Sequence, residues 1–93
     1  MTVVRIPSPL RKYTAGQSKV EGKGTTIEAL IESLETQFPG IKTRLCDENN
    51  QVKRYVNVFV NDEEIRTLQG TETTIDDRDE VSIVPAMAGG KEA

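Results

Sequence analysis

The clearest periodic stretch of the chain lies between Thr25 and Gly40. Ile27, Leu30, Ile31, Leu34 and Phe38 recur at the three- and four-residue spacing that puts side chains on one face of an α-helix. Glu28, Glu32 and Glu35 fall largely off that stripe and are expected to face water. Thr25 stands where an N-cap is needed, with Glu28 three residues on to reach back, and Pro39-Gly40 stops the helix. A second short turn, Ile41 to Leu45, is expected to pack Ile41 and Leu45 under a sheet.

The rest of the pattern reads as strands. Val3, Val4 and Ile6 open a short strand that ends at Pro7. Ser8 to Gln17, carrying Pro9 and Gly16, marks a long hairpin connection, and Ser18-Lys19-Val20-Glu21 returns as an exposed strand suited to a sheet edge. Cys46 to Lys53 is polar and turn-rich, a mobile surface loop. Arg54-Tyr55-Val56-Asn57-Val58-Phe59-Val60 is β-branched and aromatic and forms the strongest strand. Asn61-Asp62-Glu63 turns the chain into a short strand around Glu64-Ile65-Arg66. Ile75 is an isolated core candidate, and Glu80-Val81-Ser82-Ile83-Val84 is the final strand, with Val81 and Ile83 on one face.

Two strands, one crossing helix and antiparallel pieces after it define an α+β layer pair: a mixed sheet of four to five strands with the helix across one face. Pairing the first and last strands in parallel at the centre gives a β-grasp, a topology consistent with right-handed crossovers. Residues 1–85 are expected to form that domain. Residues 86–90 would be a flexible arm and 91–93 an extension.

Composition narrows the chemistry. The chain has no histidine, which removes Ser-His-Asp and Cys-His catalysis and histidine-ligated metals together. Its one cysteine, Cys46, cannot make an internal disulfide or a four-thiolate cluster. It reads as a small apolar residue after a helical turn, with a redox or persulfide role as the alternative. No carboxylate pair sits at a spacing that argues for acid–base work. The expectation is a non-enzyme with no catalytic residues, no bound metal and no cofactor of its own. Basic and acidic residues are well mixed at a net charge of -3, so no nucleic-acid groove is expected. The acidic run Asp76, Asp77, Asp79 and Glu80 reads as a solvated turn, or as a patch facing a basic partner. Apolar runs break too soon to span a bilayer and the N-terminus lacks a secretory h-region, so the expected address is cytoplasmic, away from membranes.

The C-terminus carries the most specific signal. The final strand stops at Pro85, Ala86-Met87-Ala88 follow, then Gly89-Gly90, then Lys91-Glu92-Ala93. Paired glycines bring no side chain to a core, but their backbone is thin enough to thread a narrow cleft. At about 3.3 Å per residue, Ala86 to Gly90 can reach roughly 15 Å beyond the sheet. Met87, the bulky residue of the arm, can lie back on the sheet edge or insert at the cleft mouth.

Four stretches together resemble the ubiquitin-like sulfur-carrier proteins of the ThiS/MoaD family, most closely the CysO-type carriers of bacterial cysteine biosynthesis. They are Leu10-Arg11 with Thr14-Ala15-Gly16-Gln17, the helix end Phe38-Pro39-Gly40-Ile41, Tyr55-Val56-Asn57-Val58-Phe59-Val60-Asn61, and Asp79-Glu80-Val81-Ser82-Ile83-Val84-Pro85-Ala86 leading to Gly89-Gly90. The resemblance implies that the carboxylate of Gly90 is adenylated by a ubiquitin-activating-type enzyme using ATP and magnesium. It implies that a sulfur donor then displaces AMP, leaving a thiocarboxylate. Ala86, Met87, Ala88 and Gly89 would thread the enzyme's cleft.

Carriers of this family end at the second glycine, whereas this chain continues. The resemblance therefore implies cleavage between Gly90 and Lys91 by a JAMM-type zinc metalloprotease. The implied sulfur acceptor is a pyridoxal-phosphate cysteine synthase, with molybdopterin or thiamin synthesis as alternatives. A ubiquitin-like modifier joined to target lysines shares the same activation step, and a plain β-grasp interaction module is a third reading. Tyr55 and Phe59, on the sheet face away from the helix, are the expected partner-docking residues.

Overall fold

The computed structural model describes residues 1–85. Five strands, β1 (Thr2–Arg5), β2 (Lys19–Gly22), β3 (Val56–Val60), β4 (Glu63–Glu64) and β5 (Glu80–Pro85), form one sheet in the order β2-β1-β5-β3-β4. The helices are α1 (Ile27–Gln37) and α2 (Ile41–Leu45). β1 and β5 pair in parallel, with Val4 opposite Val81, and every other pairing is antiparallel. The two chain-terminal strands therefore sit side by side at the sheet's centre, as the β-grasp expectation required, and β2 is an edge.

One face of the sheet is the core. Val4, Val20, Val56, Val58, Val60, Val81 and Ile83 alternate inward and are buried with Ile27, Leu30, Ile31 and Leu34 of α1 and with Ile41 and Leu45 of α2. Each such side chain contributes about 1.5–3 kcal/mol on burial, which is why the stripe overrides the weak helix propensity of so short a segment. Ile75 joins this core.

Several local details differ from the sequence expectation. The N-cap of α1 is Thr26, whose side chain accepts from Ala29 N–H at 3.2 Å. The cap is shifted because Thr26 bridges Thr74 and Ile27 N–H donates to Thr73. With the cap at Thr26, Glu28 is one residue short of the capping-box position. Glu35 does not simply face water: its carboxylate accepts from the N–H groups of Gly40 and Lys42 at the start of α2. Glu32 pairs with Lys42.

The hairpin connection is built around a 3₁₀ helix, Ser8–Tyr13, with Leu10 and Tyr13 packed on the core. The Cys46–Lys53 loop is internally tied: Asp47 accepts from Asn49 and Gln51, and Cys46 bridges Val52. β3 starts two residues later than expected, because Arg54 and Tyr55 form a turn. β4 ends at Glu64, and Ile65–Thr67 is a 3₁₀ turn that buries Ile65.

The acidic run is a turn at the start of β5. Asp79 accepts from Asp76 N–H, Asp76 accepts from Arg78 N–H, and the N-terminal ammonium pairs with Asp77 at 3.0 Å. No helix among the described residues is long and apolar enough to cross a membrane.

Candidate functional site

Strand polarity defines one end of the sheet as the place where the C-terminal segment leaves. β5 runs parallel to β1 and antiparallel to β3, so Pro85 emerges beside the end of β1 and the beginning of β3. The last pair of the ladder joins Val56 to Pro85. Proline lacks an N–H, so Pro85 brings no backbone donor to this last rung. Ala86, Met87, Ala88, Gly89, Gly90 and Lys91, the expected arm and processing bond, lie outside the described residues.

Of the two expected docking residues, Tyr55 stands at this end and Phe59 lies on the uncovered face toward the far end of β3. Phe59 alternates away from the core on β3, opposite Ser82 of β5 and Glu64 of β4, and is half-buried between them. Tyr55 stands in the turn just before Val56 and is 55% exposed, with Lys53 Nζ 5.9 Å from its ring centre. Val84, opposite Asn57 on the same face, is 45% exposed. The sequence reading had not singled out Val84. Its signal was available, because Val81 and Ile83 facing inward puts an apolar residue on the outward parity one step before Pro85.

A second residue missed from sequence is Arg66. Its guanidinium donates to the Lys53 carbonyl at 2.7 Å and the Val56 carbonyl at 3.0 Å, and also reaches Asn57 Oδ1 and Glu64. The planar fork clamps the turn that carries Tyr55 against the ladder's last pair. Nothing in a lone surface arginine of the sequence announced this. At the opposite end, Asn61 and Asp62 both take positive φ, as a two-residue hairpin turn demands. Asn61 also exchanges hydrogen bonds with Glu80 and Asp79, fixing where β5 begins.

Cys46 is buried at the end of α2, and burial pushes its thiol above the ordinary value of 9.0. A protonated, enclosed thiol is a poor nucleophile, which fits the packing role. Among the described residues no group of acidic and cysteine side chains is arranged to hold a metal ion.

The fold and the strand order place the chain among ubiquitin-like β-grasp proteins. The ThiS family model matches residues 4–90, and the chain belongs to that family. It is 46% identical over 89 residues to the sulfur carrier protein CysO of Mycobacterium tuberculosis, spanning 94% of this chain and 96% of that protein. A chain of the Amycolatopsis orientalis BexX/CysO complex superposes with a TM-score of 0.91 at 42% identity, covering 97% of this chain and 100% of that one. The small archaeal modifier protein 3 of Haloferax volcanii is 42% identical over 65 residues, 70% of each chain.

Proposed function

We propose that this chain is a sulfur carrier whose working group is the carboxylate of Gly90, exposed by removal of residues 91–93. The observation that carries this reading is the route of β5. The central strand of a ThiS-family sheet runs to Pro85 at the sheet's end and continues as Ala-Met-Ala-Gly-Gly, within the stretch the family model matches.

The chemistry is supplied by partners. A carboxylate is a poor electrophile. Attack of its oxygen on the α-phosphorus of ATP, with magnesium on the phosphates, releases pyrophosphate and leaves an acyl-adenylate. Sulfide, as HS⁻, then attacks the acyl carbon and expels AMP, and loss of the sulfur's proton leaves a thiocarboxylate. That sulfur is nucleophilic where an ordinary thiol is largely protonated. The body presents the arm; a ubiquitin-activating-type enzyme does the adenylation, and a JAMM-type zinc protease exposes Gly90. Likeness to the cysteine-pathway carriers favours a pyridoxal-phosphate cysteine synthase as the acceptor, ahead of molybdopterin or thiamin synthesis. The cytoplasm is the compartment that suits these partners.

Likeness to an archaeal modifier protein favours a second reading, in which the same activated Gly90 is joined to lysines of target proteins. Intact mass of the protein isolated from its own cells separates the two. The carrier reading expects loss of Lys91-Glu92-Ala93 and replacement of one terminal oxygen by sulfur. Retention of Ala93 in the working protein overturns it, and isopeptide-linked conjugates without free thiocarboxylate establish the modifier.

A further inference from the structure

The end of the sheet from which β5 departs collects positive charge from separate parts of the chain. β1 finishes there with Arg5, β2 begins there with Lys19, and the turn leading into β3 contributes Lys53 and Arg54. Arg66 is anchored there by the carbonyls of Lys53 and Val56. Arg11 arrives through the 3₁₀ insertion, where its Nε donates to the Ile6 carbonyl at 3.1 Å. Arg5, Arg11 and Lys19 line one open concavity together with Ser82 and Val84 of β5. Six of the chain's twelve lysines and arginines thus surround the root of the arm, although the net charge is -3.

Four of the six are not paired internally. Arg5 pairs with Glu80 and Arg66 with Glu64, but Arg11, Lys19, Lys53 and Arg54 make no ion pair among the described residues. The Asp76–Asp79 turn, with Asp62 and Glu63, lies at the opposite end of the same strands, and Arg5 reaches back along β5 to its partner Glu80. The turn that follows Arg11 takes left-handed backbone at Ala15 and Gly16, and the buried Thr14 hydroxyl donates to the Gln17 carbonyl at 2.8 Å. With its Nε held by Ile6, Arg11 lines the concavity while its two terminal nitrogens make no hydrogen bond among the described residues, a fork that suits a carboxylate.

We propose that this basic collar docks on a carboxylate-lined rim around the cleft of the enzyme that adenylates Gly90, so that charge aligns the arm before its glycines enter. The proposal rests on the reading of Gly90 as the adenylated residue. Like charges around a departing segment repel a basic surface and steer an acidic one, acting mainly on encounter and affinity rather than on the chemical step.

The test is binding of the chain ending at Gly90 to the adenylating enzyme of its own organism, followed by titration calorimetry. In the double variant Lys19→Glu with Arg54→Glu, both positions being exposed, affinity is expected to fall about tenfold or more at low salt. The deficit should shrink as salt rises, because screening weakens the lost attraction. Lys23→Glu with Arg78→Glu, the same charge change at the far end, should bind like the unaltered chain. Circular dichroism and melting identify any variant that fails to fold, and Lys19→Glu alone then replaces it. Equal weakening by both doubles, no weakening by the first, or no binding by the unaltered chain overturns the collar. The Gly90 reading is judged separately, by the thiocarboxylate mass: its presence with an indifferent collar leaves that reading standing and removes this one.

Discussion

At the scale of single residues, conformational demand and empty space separate two glycines that look alike in the sequence. Gly24 takes φ +144°, and a β-carbon there would lie 2.7 Å from Leu30 N and 2.8 Å from Ala29 Cβ, against the first turn of α1. Gly16 takes φ +82° with nothing within 4 Å of the same added atom. Gly24→Ala must therefore move helix backbone as well as strain its own, and should cost about 2–3 kcal/mol. Gly16→Ala should cost only about 1 kcal/mol, the left-handed penalty alone. Urea unfolding of the two variants checks the difference, and equal losses would mean the loop before α1 yields freely. The sequence placed Gly16 in the hairpin connection and shows Gly24 just before the helix. It could not rank them, because the contact that matters at Gly24 comes from the helix folding back over it. Val84 and Arg66 teach the converse: one followed from strand parity that was already in hand, while the other depends on which carbonyls a distant turn presents to it.

Among the elements, α1, β3 and β5 were legible because their apolar residues follow a single period that the core then uses. What escaped was set by neighbours. Thr26 rather than Thr25 caps α1 since Thr26 pairs with Thr74, and Glu35 turns from the solvent side to serve α2. Helix α2 is five residues long and its own N-cap, Gly40, offers no side chain. Glu35 supplies the missing acceptor at 2.9 Å from Lys42 N–H and 3.1 Å from Gly40 N–H. Those bonds to Lys42 and then Gly40 hold its carboxyl below the ordinary 4.5. A folded value depressed below the unfolded one means stability that is present above pH 4.5 and lost as pH falls through the lowered value. Glu35→Gln keeps the shape and removes the charge. It should lower the melting temperature at neutral pH and flatten the loss on acidification, so that the two proteins converge in acid. Melting curves that stay parallel from neutral to acid would show that the carboxylate's ionisation does not support α2.

For the molecule as a whole, the sheet's centre is made by the two strands farthest apart in sequence, and their pairing could be guessed only as a topology. Alternation identifies which residues of β1 and β5 face inward; it carries nothing about Val4 meeting Val81. The C-terminal signal is a reading of another kind, a statement of composition beyond the described residues: a strand, a proline, small residues and two glycines. Body and arm should accordingly fail independently. The buried apolar residues of the described region already close a core across sheet and helices, with Ile83 the last of them. In the chain ending at Gly90, Gly90→Val should therefore leave the melting temperature unchanged while abolishing ATP–pyrophosphate exchange by the activating enzyme. The valine carries a branched β-carbon into the narrowest part of the cleft, where glycine offers only backbone. Normal exchange by this variant would mean that the cleft does not discriminate by width. A lowered melting temperature would mean that the last glycine belongs to the folded body rather than to a segment held out to another protein.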